Sequence, residues 1–229
     1  GAGELYGAVF GGKAAIAAKY RGKSMELYNL IKEIADGYAF NLQKQVDLRI
    51  AEMENDDNAH YLIYRVLGVS DKEGKLIDIY QNKGRFLYKY AGAFLEDAVF
   101  TCIKYRFPYS SKIRIPNMLG SRPKTFEIDC LVGKLAHEIK WRDATTDGDH
   151  ITKEHTRVQA VKQAGYTPVR LMFYYPQRKQ ARRIQETLQT IYAGIGGFYY
   201  YGDAAWAYVK DFAGVDLLSM LYQIANDRG

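Results

Sequence analysis

The sequence is poor in the residues that support several specialised kinds of protein. Cys102 and Cys130 are its only cysteines, and two cysteines so far apart fit neither a disulfide framework nor a cysteine-rich metal cluster. No apolar run is long enough to cross a membrane, and the first residues lack the apolar segment and cleavage site of a signal peptide. Phosphate-binding glycine loops and nucleophile elbows are missing as well. We therefore expect a cytoplasmic protein without a membrane anchor.

Composition and charge are those of a globular protein with a slight basic excess. Apolar residues make up 48% of the 229 residues, which is enough for one generous domain. Lysine and arginine exceed aspartate and glutamate by 32 − 26 = 6, so the charge is compatible with an anionic partner but does not require one. The 20 tyrosines either stack on bases or, as we favour, fill the edge of the core.

The first half of the chain has the periodicity of helices. Apolar residues recur at helical spacing over residues 25–38 and again over residues 86–105. Between these segments Gly68 fits a helix terminator, and Ser70 precedes Glu73 at the spacing of a capping box. A new helix is therefore predicted to begin near residue 71.

The second half alternates between strand and helix patterns. Three segments alternate as strands do: residues 126–132, 135–141 and 168–174. Four segments have helical spacing: residues 152–164, 177–192, 203–212 and 216–225. This order of elements predicts an α/β fold with a central mixed sheet flanked by helices and a helical N-terminal half.

A two-residue turn sets the register of one hairpin. Gly133-Lys134 separates the first two strands, and glycine in the first position favours a type II′ turn. Counting back from this turn, Asp129 lies opposite Glu138 and Glu127 lies opposite Lys140. Alternation assigns an apolar set to the core face: Phe126, Ile128, Cys130, Val132, Leu135, His137, Ile139 and Trp141. The other face carries Glu127, Asp129, Leu131, Ala136, Glu138 and Lys140.

The second face has two interpretations. Carboxylates directly opposite each other destabilise a sheet, and a divalent cation between Asp129 and Glu138 would turn their repulsion into coordination. Such a cation activates water and stabilises charge on a phosphate, and Lys140 on the same face could orient that water. Alternatively, this is a solvated face with a Glu127–Lys140 ion pair. Register and charge alone leave both interpretations open.

The same residues resemble a known nuclease signature. Asp129, eight intervening residues and then Glu138-Ile139-Lys140 resemble the PD-(D/E)XK motif, which in that superfamily follows a helix that supplies a glutamate. Glu96 is the counterpart of that glutamate here. The chain departs from the motif at Ile128, where the name of the signature has proline, but this position varies widely.

Two longer strings make the resemblance more specific. QNKGRFLYKYAGAFLE at residues 81–96 and EIKWRDATTDGDHITKEHTR at residues 138–157 are similar to ApaLI-like type II restriction endonucleases, over roughly residues 61–174. The resemblance implies one nuclease domain with a restriction-endonuclease-like core. Its expected parts are a mainly helical region at 1–83, a catalytic core at 84–176 and C-terminal helices at 177–229.

The resemblance also implies the activity and its residues. We expect Mg²⁺-dependent hydrolysis of double-stranded DNA at a short specific sequence by a homodimer. Asp129 and Glu138 would bind the metal, Lys140 would assist the attacking water, and Glu96 would be an accessory carboxylate. Two alternatives remain at this stage: a nuclease for branched or modified DNA, and a non-catalytic DNA-binding module.

The polar segment after the second strand is expected to contact DNA, because it leaves the same strand as Lys140. Candidate residues for phosphates and base edges are Arg142, Thr145, Thr146, Asp147, His150, Lys153 and Arg157. The competing interpretation is that Asp149 or Thr152 caps the next helix and that Asp143 pairs with Arg142. For the acidic residues we favour this second interpretation.

Overall fold

The computed structural model of the chain describes residues 2–120, 122–143 and 145–229, with the backbone alone described for residues 2–20. Helices of the described residues are α1 (Ala2–Glu54), α2 (Tyr61–Val66), α3 (Asp71–Arg106), α4 (Asp149–Gln163), α5 (Lys179–Gly194), α6 (Asp203–Ala213) and α7 (Leu217–Asp227). The strands are β1 (Ser111–Pro116), β2 (Thr125–Val132), β3 (Leu135–Arg142), β4 (Thr167–Tyr174) and β5 (Phe198–Tyr201). None of the described helices has the length and hydropathy needed to cross a lipid bilayer.

The chain forms two compact units. The first consists of Gly1–Glu33 and Glu96–Gly229, and the second of Ile34–Leu95. In the second unit, the carboxylate of Asp78 binds the side chains of His60 and Tyr64 at 2.8 and 2.6 Å. The first unit contains the whole sheet, so it is the one that positions the predicted active site.

The sheet is mixed, with strand order β1-β2-β3-β4-β5. Strands β1, β2 and β3 form an antiparallel meander, whereas β3, β4 and β5 run parallel. Parallel neighbours need crossover connections, and α4 and α5 supply them. The predicted α/β class with a central mixed sheet and a mostly helical N-terminal half is confirmed.

Helices cover both faces of the sheet. On one face Arg170 of β4 contacts Glu154 of α4, and on the other Phe173 of β4 packs its ring against Trp206 of α6 at 4.5 Å. His137 of β3 lies on the α6 side, where its imidazole contacts the hydroxyl of Tyr208 at 2.7 Å. His137 is therefore a buried, hydrogen-bonded residue, as its place on the apolar face predicts.

Several helix boundaries follow the local signals, but the helices of the first half are longer than predicted. Ser70 Oγ accepts a hydrogen bond from the Glu73 backbone N–H at 3.2 Å, and Gly68 has a φ of +85°. Instead of separate shorter segments, α1 continues to residue 54 and α3 runs from residue 71 to residue 106. Glycines at exposed helix positions cost only about 1 kcal/mol each, so they weaken a helical pattern without ending the helix.

The hairpin between β2 and β3 forms as predicted at its turn. Val132 pairs with Leu135, and Cys130 pairs with His137. Gly133 has a φ of +57°, whereas Lys134 is not among the residues with positive φ. A positive φ at the first turn position alone is the property of a type II′ turn.

Further along β2 the predicted face assignment is wrong for Phe126, Glu127 and Ile128. Ser111 of β1 pairs with Leu131, but Ile113 pairs with Ile128, so between these pairs two residues of β2, Asp129 and Cys130, lie opposite one residue of β1, Lys112. This β-bulge reverses the alternation, because side chains in a strand alternate with a period of two. Phe126 and Ile128 consequently pack in the cluster beneath α4 rather than on the Cys130 side. That cluster comprises Ile115, Phe126, Ile128, Ala136, Ala160 and Val161.

The turn geometry predicts the effect of substituting Gly133. In Gly133→Ala a β-carbon must adopt a positive φ, which costs about 1–2 kcal/mol for a non-glycine residue. Urea unfolding should therefore show a lower free energy of unfolding than wild type. Gly194→Ala is the matched control, because that glycine ends α5 without a positive φ and a β-carbon there meets no atom within 4 Å. Equal losses in the two variants would contradict the assignment of the turn.

Candidate active site

Asp129 lies where β2 and β3 separate. The paired residues of the two strands end at Cys130 and His137, one pair short of the predicted contact between Asp129 and Glu138. There the Asp129 Oδ2 atom accepts a hydrogen bond from the Ile139 backbone N–H at 2.8 Å. A side chain thus takes the place of a backbone hydrogen bond between the two strands. Asp129 is only 7% exposed.

Glu138 is held by two cations. Its Oε1 atom lies 3.1 Å from Lys140 Nζ, and its Oε2 atom accepts a hydrogen bond from Arg157 Nη1 at 3.1 Å. Burial alone would raise the pKa of Glu138, but the charges of Lys140, Arg157 and Arg170 outweigh it and lower that pKa below its usual range. Glu138 is therefore a carboxylate that stays ionised although it is buried.

Asp129 has the opposite electrostatic environment. Burial, followed by the negative charges of Glu138 and Glu96, raises its pKa from 3.8 to about 8. The hydrogen bond from Ile139 and the charge of Lys140 act in the other direction but are weaker. The raised pKa favours the protonated form of Asp129, and a bound cation would favour its ionised form.

Three carboxylates meet at Asp129. One ligand oxygen from each of Glu96, Glu127 and Asp129 lies within 4.8 Å of the other two. Glu96 comes from α3, while the other two residues come from β2 on either side of Ile128. Carboxylate oxygens are hard donors that suit a divalent cation such as Mg²⁺ or Ca²⁺. Their spacing and the raised pKa of Asp129 fit such an ion.

The cations beside this cluster were missed at the sequence level. Lys112 of β1 forms an ion pair with Glu96, and its Nζ atom lies 3.4 Å from Glu127 Oε1. Arg114, two residues further along β1, lies 3.2 Å from Glu127 Oε2. The alternation of Lys112 and Arg114 with isoleucines was the available signal, but β1 itself was not predicted. Instead of a Glu127–Lys140 pair, Glu127 pairs with residues of β1.

A buried arginine forms ion pairs with two acids near the site. Arg170 is fully buried in β4 and lies beside Glu138 in the register between β3 and β4. Its Nη1 atom is 3.2 Å from Glu154 on α4, and its Nη2 atom is 3.2 Å from Asp143. His150 Nε2 lies 2.9 Å from the same Asp143 oxygen. These contacts join β3, β4, α4 and the segment before α4 into one charged network.

The predicted DNA-contacting residues divide into two groups. Arg142 and Lys153 are exposed, and Thr145, Thr146 and Asp147 lie in the segment between β3 and α4. Arg157 is different, because its guanidinium binds Glu138 and the Glu127 carbonyl oxygen and is mostly covered by protein.

A cavity of about 530 Å³ borders this segment at the carboxyl ends of β3 and β4. Its lining includes aromatic and basic side chains: Trp141, Arg142, Tyr174, Tyr175 and Arg178. Asp143, which also lines the cavity, pairs with Arg170 and His150. Asp147 accepts a hydrogen bond from the Asp149 backbone N–H at the start of α4, so these acidic residues have structural partners. The predicted capping of α4 by Asp149 or Thr152 is wrong, because the N-cap is Gly148 and no side chain caps the helix there.

Comparison with protein-family models shows to which family the chain belongs. A family model described as ApaLI-like restriction endonuclease matches residues 18–226. The chain belongs to this family. The match extends well beyond residues 61–174, over which the sequence itself resembles the family, and it confirms the restriction-endonuclease-like fold. Comparisons with curated proteins and with solved structures give no significant match.

Membership in this family makes the chain a restriction endonuclease at the family level, with DNA as its substrate class. Two members of the carboxylate cluster, Glu96 and Asp129, are among the residues that the resemblance to the nuclease signature singles out.

The raised pKa of Asp129 predicts a pH-dependent effect of Asp129→Asn in metal-free buffer. Between pH 4 and pH 8 unfolding of the wild type releases the Asp129 proton, because the unfolded carboxyl ionises near 3.8 and the folded one near 8. The free energy of unfolding of the wild type therefore decreases as the pH rises through this window. Asp129→Asn lacks this decrease, because asparagine does not ionise. The stability of Asp129→Asn relative to wild type should increase from pH 5 to pH 8, as measured by thermal unfolding with a chelator.

The exposed Asp211→Asn variant in α6 controls for the loss of one negative charge. A relative stability of Asp129→Asn that stays constant or decreases with pH would show that Asp129 is an ordinary ionised carboxylate.

The buried network predicts a large effect of Arg170→Met. Removing the guanidinium leaves Glu154 and Asp143 without their shared cation inside the protein, which costs about 3–5 kcal/mol. Arg114→Met removes an ion pair with the same 3.2 Å separation at a side chain that is 68% exposed, and it should cost less than about 1 kcal/mol. Urea unfolding of both variants without metal measures the difference, and similar losses would refute it.

Proposed function

We propose that this chain is a Mg²⁺-dependent type II restriction endonuclease that hydrolyses both strands of DNA at a short specific sequence. The observation that carries the proposal is the meeting of Asp129, Glu96 and Glu127 within 4.8 Å beside the Glu138–Lys140 pair. A solvated structural face would not place Asp129 at 7% exposure next to two other acids. A cation site accounts for that arrangement.

Each residue has a role in this proposal. Asp129 and Glu138 bind the metal, as the motif implies, while Glu96 of α3 is the accessory carboxylate and Glu127 completes the carboxylates around the same ion. The metal would polarise the scissile phosphate and lower the pKa of a bound water. Lys140, whose pKa is raised chiefly by Glu138, keeps a protonated ammonium at the site to orient the nucleophile. Arg157 positions Glu138 rather than contacting DNA.

The DNA would lie along the carboxyl ends of β3 and β4. Residues 142–150 leave β3 immediately after Lys140 and Trp141, so a phosphate at the active site brings the duplex beside them. Arg142 and Lys153 are exposed and suited to phosphates, while Thr145, Thr146 and His150 are the candidates for base edges.

A homodimer supplies the second active site that a double-strand break requires. One chain carries one such hairpin among its described residues, and a twofold axis would place two copies on the two strands of a symmetric site. Large apolar side chains of the second unit support self-association. Leu62, Ile63, Val66 and Leu67 are 57–75% exposed, which is unusual for a solvated surface.

Digestion of mixed-sequence DNA with Mg²⁺ tests the proposal. Wild type should produce discrete fragments, and Lys140→Ala should reduce the cleavage rate at least roughly 100-fold while still binding the same DNA, because the fold and the acids remain. Fragments are measured by electrophoresis and binding by fluorescence anisotropy in Ca²⁺. Sequencing of the fragment ends then identifies the recognition site.

Lys134→Ala is the matched control, since it removes the same charge from the exposed turn of the same hairpin. It should cut like wild type. Equal cutting by Lys140→Ala and wild type would remove Lys140 from the mechanism. Cutting confined to methylated plasmid or to a synthetic junction would replace the short-sequence specificity with a modified or branched substrate.

A further inference from the structure

Lys112 occupies a special position beside the carboxylate cluster. Its ammonium contacts Glu96 and lies 3.4 Å from Glu127, which are two of the three members of that cluster. The third member, Asp129, also acts on it, since all three negative charges raise the pKa of Lys112. Lys112 of β1 therefore interacts electrostatically with all three acids of the cluster.

We propose that Lys112 is the counter-ion of the metal-free site and that a divalent cation takes its place at Glu96 and Glu127. This inference rests on the metal site of the proposed function and adds a residue outside the nuclease motif. In the free protein, Lys112 compensates the repulsion between acids that are held close together. When the cation binds, the ammonium leaves the acids and moves into solvent.

The exposure of Lys112 makes this exchange possible. Its side chain is 40% exposed, and the paired side chains of Glu96 and Glu127 are 26% and 35% exposed. Ion pairs this open to water are weak, so a divalent cation shared by three carboxylates can displace the ammonium. Lysine also suits release, because its flexible stem carries a compact and strongly hydrated charge.

Arg170 shows the contrast within the same protein. It also binds two carboxylates, but its guanidinium is fully buried and could leave only by exposing a charge-lined cavity. Arg170 is therefore a permanent part of the network, whereas Lys112 is exchangeable. The two cations differ in burial rather than in the number of acids that they contact.

Cation titration of Lys112→Gln tests the proposal in the full-length chain. Removing the competing charge should tighten Ca²⁺ binding roughly 3- to 10-fold, measured by calorimetry without DNA, because a positive charge a few ångströms from a divalent ion opposes its binding. The same variant should melt at a lower temperature than wild type in chelator, and added Ca²⁺ should raise its melting temperature more than that of wild type. Unchanged or weaker Ca²⁺ binding would overturn the proposal.

Arg114→Gln is the matched control. It removes an equal charge two residues away on β1, from a side chain that contacts Glu127 and is 68% exposed. Its Ca²⁺ affinity should change less than twofold. An equal gain in both variants would show a general charge effect and would refute the specific role of Lys112.

A second measurement uses the wild-type protein and does not depend on the folding of any variant. Acetylation of the Lys112 amine, followed by mass spectrometry, should become faster when Ca²⁺ saturates the site, with the exposed Lys134 as internal reference. A constant or slower rate relative to Lys134 would overturn the exchange. If wild type binds Ca²⁺ but Lys112 does not respond, only this inference fails. If wild type binds no divalent cation, the proposed metal site fails together with it.

Discussion

The burial of Asp129 next to other acids is the constraint on which the rest of the site depends. A carboxyl group that is 7% exposed and close to Glu138 and Glu96 has a raised pKa, so its ionised form requires a cation. The fold meets this requirement in two ways. It gives one oxygen of Asp129 a backbone donor, and it leaves the other side of the group to the carboxylates of α3 and β2.

The sheet creates this environment by an irregularity. The bulge in β2 turns Ile128 toward α4 and ends the pairing with β3 just before Asp129. A regular hairpin would have placed Asp129 and Glu138 as ordinary cross-strand neighbours on the face that α4 covers. In the actual strand Asp129 is 7% exposed, and the hydrogen bond that it accepts from the Ile139 backbone N–H fixes its orientation.

The surrounding cations divide into fixed and exposed groups. Arg157 and Arg170 are largely enclosed and connect Glu138, Glu154 and Asp143, so they keep the acids of the site in place as a unit. Lys112 and Arg114 stand on β1 at the open side of the cluster. An enclosed network of arginines beside an open group of cations combines a fixed set of buried acids with carboxylates that remain accessible from solvent.

Much of the site was predictable because it is local in sequence. The glycine turn set the first pairs of the hairpin, alternation brought Glu138 and Lys140 to one face, and the motif pointed to Asp129 and Glu96. What could not be predicted depends on contacts between distant segments. The face of Phe126 and Ile128 changed because β1 pairs with β2 through a bulge.

The sequence by itself determined the α/β class and the hairpin turn, and it pointed to Asp129, Glu138 and Lys140 as candidate site residues, because periodicity, turn chemistry and motif spacing act over a few neighbouring residues. Only the tertiary structure decided that Lys112 and Glu127 join the cluster and that Arg157 turns inward to Glu138. Those partners come from separate elements, and their charges interact only after β1, α3 and α4 have packed around the sheet.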